Sequence, residues 1–255
     1  MADGQIDRFE WTFSPGDLFE DDHEIEREAY ILRFSKGKIS ADVNADYFNE
    51  HPEIRTKIQH EIQMRIDAAT VISPNRPTLS ESSRRMVFAD GRTVNCIEPK
   101  TGHIVWSGHR PEIGIATSES TIFDSPGGRI GRTRRIADRC SAHQDDHCLG
   151  AMLAGVNSAN NHPDHALVHL YEVRDAAQKR FCRAERARRT IGISKSRWDD
   201  LGDICNHLPL NQGRHRGKHE GELRNATGQE LELARQIVQE IIEGYLDHLE
   251  RAGNG

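Results

Sequence analysis

Behind Thr227 the apolar residues Leu231, Ala234, Ile237, Val238, Ile241, Ile242, Tyr245 and Leu249 recur at three- and four-residue intervals. That spacing lays them along one stripe of a long α-helix, and a stripe of this length must be buried against other elements. Thr227-x-x-Glu230 at its front has the form of a capping box, which fixes where the helix begins. A long one-faced helix needs partner helices, and the preceding sequence provides them. Pro163 is suited to the first helical position, and Ala166, Leu167, Leu170, Val173, Ala177 and Phe181 follow it as a second stripe. Ser194 is placed as an N-cap for a helix carrying Trp198, Leu201, Ile204 and Cys205, and Pro209 stops it. Residues 163–250 are therefore expected to form a helical bundle.

The first half has a different texture. Residues 1–27 read as a loosely ordered lead-in, with Glu10-Trp11-Thr12-Phe13 as a short strand. Tyr30–Phe34 and Ile39–Val43 flank Lys36-Gly37 as a hairpin, and Met86–Phe88 and Thr93–Ile97 flank Asp90-Gly91 as a second one. Between them Ile54, Ile58, Ile62 and Ile66 recur every four residues, a helix with one apolar face that ends at Ser73-Pro74. His103–Trp106 and Ile113–Phe123 read as further strands. Ser125-Pro126-Gly127-Gly128 is a break, and the glycines that run on to Gly131 read as a turn. One helix is expected over 132–155, weakened at its end by Gly150 and Gly155, with a polar loop from Asn157 to Pro163. The fold class is thus α+β. A hairpin-rich α+β domain (1–130) is joined by a connecting helix and loop (131–160) to an all-α domain (161–255).

Composition narrows the class further. The 255 residues carry a formal charge of −6 and a mean hydropathy of −0.71, so the chain is polar but not generally basic. No stretch approaches the roughly 18 apolar residues of a membrane helix, and the first residues are polar and acidic, unlike a signal peptide. Five scattered cysteines without a Cys-x-x-Cys pair fit reduced thiols in the cytoplasm. The basic residues are concentrated. Arg174 to Arg197 holds nine Lys and Arg against Asp175 and Glu185, and Arg214, Arg216, Lys218 and Arg224 follow. Such a local surface binds polyanions, and it equally describes a solvated Arg-rich loop.

The densest constellation is Leu210-Asn211-Gln212-Gly213-Arg214-His215-Arg216-Gly217-Lys218-His219, between two bundle helices. Imidazole moves protons near neutral pH, and a guanidinium holds a phosphate and stabilises charge developing on it. Arg214 and His219 supply both functions. On an ideal helix five positions amount to about 140° of rotation and about 7.5 Å of rise, so the two would not share a face. Either the segment is irregular or a second subunit completes the site.

Arg214–His219 resembles the Arg-x4–6-His motif of HEPN domains, in which a polar residue commonly follows the Arg, as His215 does here. The resemblance covers about residues 160–250, including the long helix before the motif and the one after it. It implies a helical bundle that dimerises so that two motifs form one metal-independent endoribonuclease site. Arg214 would bind the phosphate and His219 would act as acid and base. The 2′-OH would attack the adjacent phosphate and leave a 2′,3′-cyclic phosphate. Family members often act in toxin–antitoxin or antiphage systems, so a regulatory partner protein is implied as well as RNA. One HEPN subclass carries a modifiable Tyr two residues after the His; here that position is Gly221. Asn211, His215, Arg216 and Lys218 are candidates for holding RNA, and Glu172 and Asp175 for orienting the Arg or His. Each also reads as an ordinary surface residue.

Two other chemistries fall within reach of these residue types. Cys140, His143, His147 and Cys148 have residue types that suit zinc, but on one helix Cys148 would lie about 100° from the rest, and no second ligand cluster is evident. His215 and His219 lack a Glu base between them, and the intervening Arg and Lys would repel a metal. No cofactor is expected. No phosphate-binding Gly-x4-Gly-Lys-Ser/Thr loop and no Gly-x-Ser-x-Gly elbow occurs. The competing functional readings are a non-catalytic nucleic-acid-binding or adaptor subunit and a zinc-dependent hydrolase.

Overall fold

The computed structural model of the protein describes residues 5–19, 21–96, 126–218 and 221–253, with the side chains of 126–128 excepted. The strands expected at His103–Trp106 and Ile113–Phe123 lie outside the described residues, as does His219. Among the described residues the fold is α+β, an antiparallel sheet followed by a helical part.

The strands are β1 (Ile6–Ser14), β2 (His23–Glu26), β3 (Tyr30–Ser35), β4 (Lys38–Asn44), β5 (Thr78–Leu79), β6 (Ser83–Val87) and β7 (Thr93–Cys96). Their order is β2-β3-β4-β1-β6-β7, with β5 pairing the end of β1. Both expected hairpins form. β3 and β4 turn through Lys36-Gly37, with Gly37 at φ 73°, and β6 and β7 turn through Asp90-Gly91, with Gly91 at φ 82°. The lead-in reading of residues 1–27 is corrected. Asp7 to Phe13 alternates strictly between a buried and a partly exposed face, and β1 is an inner strand between β4 and β6. Asp7 breaks the hydrophobic alternation, yet it is buried because Arg84 holds both its oxygens, at 2.8 and 3.1 Å.

The helices are α1 (Ala45–Glu50), α2 (Ile54–Ile72), α3 (Pro126–Ala142), α4 (His147–Asn161), α5 (Ala166–Arg180), α6 (Ala184–Ile191), α7 (Lys195–Asn206) and α8 (Gly228–Gly253). The stripe Ile54, Ile58, Ile62 and Ile66 of α2 is buried, each side chain contributing roughly 2 kcal/mol of transfer free energy. α2 also reaches the sheet, because Tyr30 of β3 donates its hydroxyl to Glu61 and the Arg55 guanidinium lies over the Phe9 ring.

The single helix expected at 132–155 is two helices. The first absorbs the supposed break and glycine turn, because Pro126 opens α3 and the chain is helical through Gly131. The chain then turns at His143–Asp146, where the Asp146 carboxylate caps α4 by accepting from the Leu149 N–H at 2.8 Å. α4 runs on through Gly150, Gly155 and the supposed loop at 157–161. Gly155 does not weaken it. A Cβ there would lie 3.1 Å from the His169 carbonyl, so glycine is what lets α4 approach α5 closely. Buried side chains form one continuous cluster from the sheet through α2 to the bundle. No helix among the described residues is long and apolar enough to cross a membrane.

Candidate functional site

The basic loop joins α7 to α8, and backbone bonds close its base. Asn211 N–H donates to the Arg224 carbonyl at 2.9 Å and Arg224 N–H donates to the Pro209 carbonyl at 3.0 Å. Side chains add to the closure. The Asn211 amide donates to the Asn225 carbonyl oxygen at 2.8 Å, and Gln212 accepts from Ala226 N–H at 2.9 Å. Buried Leu210 anchors the entry, and at the exit Arg224 pairs with Glu230 of the capping box, 2.8 Å away. The tip, 213–218, is therefore held at both ends. It is not an α-helix but has a tight turn over Arg216–Lys218.

Within the tip, the Arg214 N–H donates to the Cys205 carbonyl at 2.8 Å, which seats the residue on the end of α7. Its guanidinium donates to the Asp175 carboxylate at 3.1 Å and lies 4.3 Å from the centre of the Tyr171 ring. Tyr171 and Asp175 are four residues apart on α5, hence on one face of it. The remaining N–H groups of Arg214 make no hydrogen bond among the described residues, and the side chain is 31% exposed. A guanidinium fixed on one edge by a carboxylate and on one face by a ring presents its other edge in a defined orientation.

The other candidate residues divide. Arg216 ties the tip to the start of α5, donating to the Gly213 carbonyl at 3.1 Å and contacting Nδ1 of His165. His215 sits beside Lys218, Arg214 and His207; desolvation and then these cations lower its pKa from the usual imidazole value. Lys218 lies on the exposed side of the turn. Asn211 has its amide spent on the loop base. Glu172 pairs with His169 of its own helix at 3.2 Å and not with Arg214.

The four residues considered for zinc are not brought together. Among the described residues no group of three or more His, Cys, Asp or Glu is placed to hold a metal ion. Cys140 points into the core, where burial pushes its thiol up to about 12. Cys148 is turned toward the Ala176 carbonyl of α5, 3.6 Å away, and the chain breaks between His143 and His147, so the four share no helical face.

Tyr171, Arg174, Trp198 and Gly202 are not among the site residues expected from the sequence; Tyr171 touches Arg214, and Arg174 lies against Tyr171, Trp198 and Gly202. The Arg174 guanidinium lies 5.0 Å from the Tyr171 ring centre and 5.0 Å from that of Trp198. The spacing Tyr171, Arg174, Asp175 on one helical face was the available signal. A cavity of about 800 Å³ lies elsewhere, on the outer face of the sheet between Glu10, Arg33, Lys38 and Arg85. Arg85 pairs with Glu10 and Arg33 with Glu24 there, so much of that charge is internally neutralised. No protein-family model, curated protein or solved structure matches the chain.

Proposed function

We propose that the protein is a metal-independent endoribonuclease of the HEPN type, acting as a homodimer, with Arg214 and His219 as its catalytic residues. The observation that carries this reading is the seat of Arg214. The residue of the motif that must meet a phosphate is fixed by Asp175 and Tyr171 while the rest of its donor set stays unspent. Cleavage then needs a base to take the proton of a 2′-OH and an acid to protonate the departing 5′-oxygen. The 2′-oxygen forms a bond to phosphorus and the bond from phosphorus to the 5′-oxygen breaks. The products are a 2′,3′-cyclic phosphate and a 5′-OH. Two His219 imidazoles, one from each copy, divide these proton transfers, and Arg214 stabilises the charge added to the phosphoryl oxygens. A cytoplasmic toxin or antiphage module, with a partner protein restraining or triggering the activity, is the setting this chemistry fits.

The test is cleavage of total RNA in EDTA by the wild type, Arg214→Ala and His219→Ala, each checked for folding and for dimerisation by sedimentation. The wild type is expected to cut, and each variant to lose about 100-fold or more, the usual scale for removing a transition-state donor or a general acid–base. Equal cleavage by all three overturns the reading. RNA binding that requires Arg214, without cleavage by any of the three, replaces it with the non-catalytic adaptor.

A further inference from the structure

Arg214 is not the only guanidinium on Tyr171. Arg174, one helical turn along α5, shares the same ring and also stacks on buried Trp198. The two cations converge on the end of α7, where both act on the Cys205 thiol, which burial nevertheless pushes up to about 12. The slot for Arg174 is built by a glycine. A Cβ at Gly202 would lie 2.2 Å from one terminal nitrogen of Arg174 and 3.3 Å from its central carbon. A guanidinium in such a slot would ordinarily be matched by a carboxylate. Among the described residues Arg174 makes no hydrogen bond or ion pair, and its Nε is buried with no acceptor. Asp199, near enough to feel its charge, is taken by Lys195. Among the described residues the two guanidinium groups share the Tyr171 ring, and the carboxylate beside it, Asp175, is bonded to Arg214 and not to Arg174. An arrangement with excess fixed positive charge and unspent donors is completed by an anion from outside.

We propose that Arg174 is a second phosphate-binding residue, holding the phosphate next to the one at Arg214, so that the site takes consecutive phosphates of single-stranded RNA. The proposal rests on the reading of the Arg214 site as one for RNA phosphate, and its test is chosen to be independent of cleavage. The probe is a 2′-O-methyl oligonucleotide, which lacks the attacking hydroxyl, titrated at several salt concentrations with the wild type, Arg174→Met, Arg174→Lys and Gly202→Ala. Each phosphate contact on a single strand contributes about 0.7 to the slope of log K against log salt. Arg174→Met is expected to lower the slope by about that amount and to weaken binding at least several-fold. Gly202→Ala, which evicts the guanidinium without removing it, is expected to do the same, while Arg174→Lys retains the slope. Arg174→Gln replaces the Met variant if the latter does not fold. Wild-type slope and affinity in Arg174→Met or Arg174→Gln overturn the proposal, as does full displacement of the oligonucleotide by inorganic phosphate at an equal phosphate concentration. A wild type that binds through Arg174 but cuts no RNA removes the nuclease and keeps this site. Cleavage through Arg214 with an indifferent Arg174 does the reverse.

Discussion

At the scale of single residues, Arg214 meets geometric demands that a lysine does not. Its planar group donates to Asp175 and lies on Tyr171 at the same time, and an ammonium has neither the fork nor the flat face. Arg214→Lys is therefore expected to lower RNA cleavage about 100-fold while leaving affinity for an uncleavable oligonucleotide within several-fold, measured by single-turnover kinetics and titration. The Arg214–Asp175 pair is partly exposed on both sides, and such pairs contribute about 1 kcal/mol or less. Asp175→Asn should then change the cleavage rate and barely move the thermal midpoint; a large loss of stability with an unchanged rate would assign Asp175 to the fold instead. The candidate loop was legible because its glycines, arginines and histidines are contiguous. Asp175 was legible as a carboxylate on the first bundle helix. The roles of Arg174 and Trp198 were not, because Arg174 shares the Tyr171 ring with Arg214 only once a loop about forty residues downstream has folded back onto Tyr171 and Asp175 of α5.

At the scale of elements, the α7–α8 loop and the start of α8 form one unit. Thr227 and Glu230 exchange the capping-box bonds, Thr227 N–H to the carboxylate at 2.7 Å and Glu230 N–H to the hydroxyl at 3.2 Å, and Glu230 also receives Arg224. Thr227→Ala is expected to cost about 1 kcal/mol in denaturant unfolding. The bond from Arg224, with those from Thr227, lowers the Glu230 carboxyl to about 2 from the usual carboxylate value of 4.5. Because the folded value lies below the unfolded one, this contribution is complete above about pH 4.5 and is lost as the pH falls toward 2. Glu230→Gln should flatten that part of the stability–pH curve. The capping box could be read from four residues. The break between α3 and α4 could not, because 141–146 contains neither Gly nor Pro. Asp146 is fixed as a cap partly by Tyr245, whose hydroxyl donates to its carboxylate at 3.0 Å from 99 residues away.

At the scale of the whole molecule, a buried charge network joins the sheet to the helices. Glu61 and Arg65 of α2 are each 2% exposed. Glu61 receives Tyr30, Arg27 and Arg65, and Arg65 continues to Asp138 of α3 at 2.6 Å. Burial alone would raise the Glu61 carboxyl, but Tyr30, Arg65 and Arg27 together hold it below the usual carboxylate range. Removing one member leaves a buried charge uncompensated, so Glu61→Ala is expected to cost about 3–5 kcal/mol in calorimetric unfolding, with sheet and bundle affected together. The hairpins and α2 were legible from turn residues and four-residue spacing, whereas β1 was not fully so, because its charged inner residue is neutralised by Arg84 from across the sheet. The central proposal, that Arg214 and His219 carry 2′-OH attack on RNA, is tested most directly with a DNA oligonucleotide containing one ribonucleotide, incubated in EDTA. The account predicts a single cut on the 3′ side of the ribonucleotide, leaving a 2′,3′-cyclic phosphate and a 5′-OH, with the all-DNA oligonucleotide intact. Cleavage of the all-DNA strand, or an upstream fragment that ends in a 3′-OH at the cut, would contradict it.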